Sequence, residues 1–236
     1  MLFCPILGSG RSAVLRPGPP PRGLRVVGWR PLLLALLCAS CARSPCRFNI
    51  QFDWTGPLTW VDSSRPPARR SLTAEETALV TQTATATLAA AFEEFPRVCV
   101  GARGKPTDVL QVRFTDTIVA LGGEIRSSDR MFFGQSWACG VWICPPSQIN
   151  YDLHLTSAQI FAETLQITSQ DETLRAAGRG IGNTAAHEFG HRRSFAGMDR
   201  EGDQWFTDGG ADRVMFYGPP LSWPPQTLAD MRKRLR

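Results

Sequence analysis

The chain has 236 residues, 43% of them hydrophobic, and contains seven tryptophans. This composition fits one globular domain with a substantial core and excludes an intrinsically disordered chain. The pI is about 9.0, but residues 1–40 hold five of the 26 basic residues and none of the 21 acidic ones, so the rest carries 21 of each. A folded part without net charge predicts no nucleic-acid partner.

Residues 1–41 have the features of an export leader. Arginine-bearing sequence precedes the short apolar run 32–37, and small residues follow it. The run is too short for a permanent membrane span, which needs about 20 apolar residues. Cys41 ends a segment that resembles a bacterial lipobox, so we expect a lipid anchor there, with ordinary cleavage near Ala42 as the alternative. Residues 42–236 then form one domain, either exported to the bacterial cell envelope or secreted.

Four cysteines remain in the folded part, namely Cys46, Cys99, Cys139 and Cys144. An even number in an exported chain predicts two disulfides, with three alternative connectivities. A metal knuckle is the other interpretation of the close pair Cys139 and Cys144, but no second pair has matching spacing. We therefore expect disulfides.

The first half of the domain shows three strand patterns. Apolar and polar residues alternate over Phe48–Trp54, which predicts a half-buried strand. Residues 55–70 are rich in proline and serine and predict a loop. Alternation at 110–114 predicts a second strand, and residues 131–144 predict a third.

A long helix is predicted between the first two strands. Thr73 and Glu76 have the spacing of a capping box, which marks a helix start. Apolar residues then recur on one helical face, and Pro96 ends the pattern. They are Val80, Ala84, Leu88, Phe92 and Phe95.

The second half is predicted to be mainly helical. Alternation over Ile149–Leu155 predicts a fourth strand, with His154 on its exposed polar face, and a helix follows. The glycines within 178–182 predict a break or kink, after which Asn183 caps the next helix. Residues 195–226 predict a loop before a terminal helix, whose apolar face is Leu228, Met231 and Leu235. This order of elements predicts an α+β fold.

Residues 185–191 read Ala-Ala-His-Glu-Phe-Gly-His and contain the pattern His-Glu-x-x-His. On a helix His187 and His191 lie on one face, so both imidazoles can bind one metal ion, while Glu188 can reach a water on that ion. The alternative is a helix with ordinary surface histidines. The pattern predicts a Zn²⁺ site and metal-assisted hydrolysis of a peptide or protein substrate, with Glu188 as the general base.

The segment 185–191 resembles the active-site helix of matrix metalloproteinases, within the metzincin group of zinc peptidases. Val214–Tyr217 resembles the Met-turn of that group, with Met215 lying 24 residues after His191. The resemblance implies a zincin-like fold with a mixed N-terminal sheet, a backing helix and endopeptidase activity. It also implies that the strand before the motif, here Ile149–Leu155, binds extended substrate by strand addition.

The same resemblance implies a catalytic role for Tyr217. In some metzincins a tyrosine two residues after the methionine approaches the metal and stabilises the oxyanion. A tyrosine packed beneath the site is the equally weighted alternative. Met215 itself is expected to be structural.

The resemblance is incomplete at the third zinc ligand. The metzincin pattern would place a glycine at Ser194 and a histidine or aspartate at Gly197, and no histidine follows His191. A carboxylate must then complete the site. Asp199 is preferred because it is the first acid after Gly197, which could turn the chain. Four other acids remain as alternatives, namely Glu201, Asp203, Asp208 and Asp212.

A second function is compatible with the irregular third-ligand region. The chain could be an envelope lipoprotein that keeps the zincin fold and acts in binding or structure with weak or no catalysis. Retention of Glu188 argues against it, because a decayed site has no use for that carboxylate. Hydrolysis of an unstructured protein separates the two.

Overall fold

The computed structural model describes residues 46–62, 68–104, 106–113, 117–120, 123–126, 134–136, 146–198, 212–219 and 222–236. These residues belong to one compact unit, Ser44–Arg236. Several predictions fall outside the described residues. They concern the leader with Cys41, the cysteines Cys139 and Cys144, most of the predicted strand 131–144, and the acids Asp199, Glu201, Asp203 and Asp208.

The described strands lie mostly in the first part of the domain, and most of the helices follow them. The helices are α1 (Ala74–Ala91), α2 (Tyr151–Ile160), α3 (Gln170–Arg192) and α4 (Pro225–Arg234), with a 3₁₀ helix at Asp212–Tyr217. The strands are β1 (Phe48–Trp54), β2 (Thr59–Val61), β3 (Arg69–Ser71), β4 (Val98–Val100), β5 (Asp108–Arg113), β6 (Thr117–Ala120), β7 (Gly123–Arg126), β8 (Gly134–Gln135) and β9 (Ser147–Asn150). The predicted α+β class is confirmed. None of the described helices is long and apolar enough to cross a membrane.

Five strands form one sheet in the order β4-β1-β5-β9-β8. The first four run parallel, and β8 pairs antiparallel with β9. Ile50, Leu110 and Ile149 are at most 1% exposed and join the helices in one core. Among the described strands β8 is therefore the edge strand on the side of β9.

The loop predicted at residues 55–70 is partly wrong, because it contains the hairpin of β2 and β3. The hairpin is held by α2 through side chains distant in sequence. The Tyr151 hydroxyl donates to the Thr59 carbonyl at 3.1 Å, and the Gln159 amide donates to the Val61 carbonyl at 2.8 Å. Such tertiary bonds leave no signal in the local sequence.

Helix α1 begins as predicted. The Thr73 hydroxyl accepts from the Glu76 N–H at 3.2 Å, and the Glu76 carboxylate accepts from the Thr73 N–H at 2.8 Å. The predicted apolar face is buried, with Val80, Ala84 and Leu88 all at 0% exposure. The helix ends at Ala91 and not at Pro96.

The strand predicted at Ile149–Leu155 is wrong beyond Asn150. There the chain enters helix α2, because the Asn150 side chain accepts from the Leu153 N–H at 3.0 Å and caps the helix. Tyr151 and Leu155, four residues apart, are both fully buried on one helical face. His154 is also fully buried, so its predicted exposure is wrong. The predicted substrate-binding strand does not exist as such.

The predicted break at 178–182 is also wrong. Helix α3 runs without interruption, starting at its Ser169 cap. Gly178 and Gly182 face α1. A Cβ at Gly178 would lie 2.7 Å from the Val80 carbonyl oxygen, and a Cβ at Gly182 would lie 2.6 Å from the Ala84 carbonyl oxygen. These glycines let two helices approach closely, which offsets their low helix propensity of about 1 kcal/mol each. Asn183 is buried inside the helix and does not cap it.

Two features tie the ends of the domain to the rest. The disulfide Cys46–Cys99 joins the start of β1 to β4, with the Cα atoms 5.7 Å apart. The terminal helix α4 is confirmed, and Met231 and Leu235 are at most 1% exposed. Arg234 of α4 donates to the carbonyls of Arg193 and Ser194 at 2.6 and 2.9 Å, which supports the end of α3.

Candidate metal centre

The last two turns of α3 bring the predicted histidine pair together. The Nε2 atoms of His187 and His191 are 3.1 Å apart, and the two rings are nearly perpendicular at 88°. His187 is 8% exposed, and His191 is half-buried. Both rings therefore point one nitrogen at the same place, at the boundary between core and solvent.

This geometry fits a zinc ion. Two nitrogens bound at about 2.0–2.1 Å in tetrahedral coordination lie roughly 3.3–3.4 Å apart, and 3.1 Å is close to that. The same distance also suits a hydrogen bond between two neutral imidazoles. To bind zinc, each imidazole must have its coordinating nitrogen unprotonated. A neutral histidine has one such nitrogen.

The Glu188 side chain extends from α3 towards the edge strand β8. Its side chain is 5% exposed. A Cβ atom at Gly134 of β8 would lie 2.7 Å from Glu188 Oε1 and 2.6 Å from Thr184 Cγ2. Glycine is therefore required by close approach, and Gly134 is a site residue that the sequence did not indicate. The only signal was a glycine inside a predicted strand.

The described side chains do not add a third candidate ligand to the histidine pair. No group of three or more His, Cys, Asp or Glu residues able to hold a metal occurs in that part of the chain. Asp199 and three of its alternatives lie outside it, and Asp212 begins the 3₁₀ helix. Asp199 as a ligand stays a prediction.

The turn after α3 contains a left-handed residue at the position where the metzincin pattern has glycine. Ser194, at the position of the expected glycine, has φ of +49°, in the left-handed region that favours glycine. The N–H of Ser194 donates to the His191 carbonyl, and that of Phe195 donates to the Gly190 carbonyl, which is a Schellman motif. Gly197 follows with φ of +83° and turns the chain again.

The 3₁₀ helix that resembles the Met-turn packs along α3. The Arg179 side chain donates to the Tyr217 carbonyl at 2.5 Å, and the Asn183 amide donates to the Phe216 carbonyl at 2.7 Å. The Asn183 amide also donates to the Pro219 carbonyl at 3.3 Å, so two residues of α3 hold this segment against the helix.

Tyr217 is 1% exposed, and its hydroxyl lies 3.4 Å from Nδ1 of His154. Its ring packs where a side chain at Gly180 would be, since a Cβ there would lie 2.6 Å from the ring. Gly180 precedes His187 by seven residues, or about two helical turns. The hydroxyl therefore has a partner away from the histidine pair, and its role at the oxyanion stays a prediction.

A buried ion pair holds the C-terminal end of α3 on the sheet. Arg192 Nε lies 2.6 Å from Asp108 Oδ1, with the side chains 6% and 2% exposed. Arg193 binds the other carboxylate oxygen and lies 4.6 Å above the Phe48 ring. Asp108 begins β5, so one carboxylate links the helix that carries the histidines to the parallel strands. Its partners are 84 and 85 positions away, and no local pattern indicated it.

No protein-family model, curated protein or solved structure matches this chain.

Proposed function

We propose that the chain is a zinc-dependent endopeptidase with a zincin fold of the metzincin type. The observation that carries this proposal is the convergence of His187 and His191, whose Nε2 atoms lie 3.1 Å apart beside the buried Glu188 carboxylate. A helix with unrelated histidines has no need for this convergence. Such a helix also has no need for a glycine, here Gly134 of β8, that leaves room for the Glu188 carboxylate.

Three features of the fold support the metzincin interpretation. A sheet with one antiparallel edge strand lies beside the motif helix, and α1 packs against that helix from behind. The backbone at Ser194 takes the left-handed turn that the family pattern assigns to glycine. The segment that resembles the Met-turn is bonded to α3, through Arg179 and Asn183.

The residues of the chain divide the chemistry between them. His187 and His191 would hold zinc, which supplies a Lewis acid for the scissile carbonyl and lowers the pKa of the attacking water. Glu188 accepts the proton of that water at its carboxylate and returns it to the leaving nitrogen. The Glu188 side chain is buried against β8, and this contact keeps its carboxylate close to the proposed metal-bound water.

Substrate binding is assigned to β8, in place of the segment Ile149–Leu155. We propose that an extended peptide adds to β8 on the side away from β9, its partner among the described strands. Because Gly134 of β8 contacts Glu188, a peptide on this edge passes the proposed general base.

Export and lipid anchoring at Cys41 remain part of the proposal. The Cys46–Cys99 disulfide supports an oxidising compartment outside the cytoplasm. Zinc is the proposed cofactor, with a third ligand from the chain after Met198.

Casein hydrolysis by the purified full chain tests the function. We expect cleavage that a chelator abolishes and that added Zn²⁺ restores. Glu188→Ala should retain zinc and lose roughly 10²–10⁴-fold in turnover, whereas His187→Ala should lose the metal as well. Zinc binding without cleavage by the wild-type chain would favour the alternative, a binding or structural lipoprotein of the envelope.

A further inference from the structure

His154 lies at a buried junction of three helices. It belongs to α2 and is 0% exposed. Its Nε2 atom is 3.2 Å from the Thr184 hydroxyl on α3, and its Nδ1 atom is 3.4 Å from the Tyr217 hydroxyl on the 3₁₀ helix. Burial lowers the pKa of His154 to about 3, so the ring is neutral and has one donor and one acceptor nitrogen. Each hydroxyl can take either complementary role.

The sequence of α3 makes room for this junction. A Cβ at Gly180 would lie 2.7 Å from Nδ1 of His154 and 2.6 Å from the Tyr217 ring. Gly180 therefore faces the junction, opposite to the face on which Gly178 and Gly182 contact α1. A glycine inside a helix costs about 1 kcal/mol, and here it admits the imidazole and the phenol.

Thr184 connects the junction to the candidate metal centre. It precedes Glu188 by one helical turn, so both side chains lie on one face of α3. The Thr184 methyl group and the Glu188 carboxylate approach the same point, the place that a Cβ atom at Gly134 of β8 would take. The hydroxyl of Thr184 faces His154, and this bond holds the methyl group against the edge strand.

We propose that His154 is a positioning residue of the candidate metal centre. One ring nitrogen fixes Thr184, and through it the spacing of Glu188 and β8. The other fixes Tyr217, and with it the 3₁₀ helix that leads back to Met215. This inference rests on the proposed function and gives Tyr217 a specific partner within it.

Conservative variants test the two bonds separately. Thr184→Val and Tyr217→Phe each remove one hydroxyl and keep the side-chain shape. His154→Phe removes both bonds, and His154→Gln keeps a polar group that can reach Thr184. Leu155→Val is the matched control, because Leu155 is the next residue of α2 and is equally buried.

The first readout needs no metal. The chain has three histidines, so the imidazole ¹H–¹⁵N spectrum of the metal-free protein resolves His187 and His191 directly. We expect their signals to move in Thr184→Val and His154→Phe, to return towards wild type in His154→Gln, and to stay in place in Leu155→Val.

The second readout is the activity of the zinc-loaded protein. Thr184→Val should lower kcat about tenfold with little change in KM, as expected for a displaced group.

Unchanged His187 and His191 signals in both Thr184→Val and Tyr217→Phe would overturn the proposal. So would equal shifts in Leu155→Val, because the effect would then be general packing. If His154→Phe does not fold, the two hydroxyl variants decide. If the wild-type chain neither binds zinc nor cleaves casein, the proposed function fails, and the metal-free spectrum still decides the role of His154.

Discussion

Gly134 makes room for the general base, and this gives a prediction about a single methyl group. In Gly134→Ala the new Cβ would lie 2.7 Å from Glu188 Oε1, so the carboxylate must move. We expect kcat for casein to fall about 10²-fold, the cost of misplacing a catalytic group by about 1 Å, while bound zinc is unchanged. Steady-state kinetics and metal analysis measure both quantities.

The shorter side chain of Glu188→Asp provides the control for that change. In this background Gly134→Ala should have a smaller further effect on kcat, because aspartate relieves the contact with Oε1 and leaves the one with Thr184 Cγ2. Wild-type kcat in Gly134→Ala alone would contradict the close approach of β8 and Glu188.

The third zinc ligand gives a second prediction at the scale of residues. Two histidines leave zinc in need of one more protein ligand, and Asp199 is the first acid after the turn at Gly197. Asp199→Ala should therefore lose bound zinc and casein hydrolysis together. Glu201→Ala and Asp203→Ala, the matched variants of the same segment, should keep both. Zinc loss confined to Glu201→Ala would move the ligand by two residues, and no loss in any variant would point to Asp208 or Asp212.

The predictability of site residues follows their sequence separation. His187 and His191 are four positions apart on a helix, and this spacing alone fixes their common face. His154 was predicted to be exposed, because its partners Thr184 and Tyr217 are 30 and 63 positions away. Gly134 and Glu188 are 54 positions apart, so their close approach is also non-local. Local patterns contain the first relation and cannot contain the others.

At the scale of elements, the C-terminal end of α3 carries backbone strain at Ser194. A residue with a side chain costs roughly 1–2 kcal/mol in the left-handed region, and Ser194 has φ of +49°. Ser194→Gly should therefore raise the free energy of unfolding by about 1 kcal/mol and Tm by about 2–4 °C. Thermal unfolding measures the change.

Ser194→Ala is the matched control, because alanine also lacks the hydroxyl but keeps the Cβ. It should be no more stable than the wild type. Equal stabilisation by alanine and glycine would show that the hydroxyl, and not the backbone angle, is unfavourable at this position.

Helix α3 also shows where element prediction fails. Helix propensity counts Gly178 and Gly182 as breakers, yet both lie inside one continuous helix. The close approach to the carbonyls of Val80 and Ala84 requires them. The start of α1 was predictable because its capping box lies within four residues. Propensity is a local quantity, and tertiary packing overrides it where two helices must touch.

For the whole molecule, the class and the long helices were predictable, whereas five short strands (β2, β3, β4, β6 and β7) and the strand order were not. The parallel pairing of β1 with both β4 and β5 depends on contacts across about 50 residues. The disulfide Cys46–Cys99 closes a loop of similar length, with a sequence separation of 53. The loop-entropy relation gives roughly 4 kcal/mol of stabilisation for such a loop.

The double variant Cys46→Ser/Cys99→Ser tests that value. We expect its free energy of unfolding in urea to be lower by about 2–5 kcal/mol, with the same far-ultraviolet circular dichroism. Cys139→Ser/Cys144→Ser is the comparison for the other two cysteines of the folded part. A loss below about 1 kcal/mol in Cys46→Ser/Cys99→Ser would mean that the strand pairing alone holds this edge of the sheet.

Glu76, in the first turn of α1, connects three elements of the domain: α1, β3 and the start of α3. It caps α1, accepts two hydrogen bonds from Arg70 of β3 at 2.5 and 2.7 Å, and accepts one from Gln170, the first residue of α3. The Arg70 guanidinium, together with the Thr73 N–H and the Gln170 amide, lowers the pKa of Glu76 to about 2.

This lowered pKa predicts how stability depends on acid. The unfolded chain takes up the Glu76 proton near pH 4.5 and the folded chain only near pH 2, so the contribution is present above pH 4.5 and is lost as the pH falls towards 2. Glu76→Gln keeps an acceptor for the capping box but does not titrate. The stability difference between wild type and Glu76→Gln should therefore shrink between pH 4.5 and 2, measured by urea unfolding at each pH. Protonation of the buried His154 lowers the stability of both proteins in acid by the same amount, so this contribution cancels from the difference. A difference that stays constant over that range would mean that the Arg70–Glu76 pair does not favour the charged carboxylate in the folded chain.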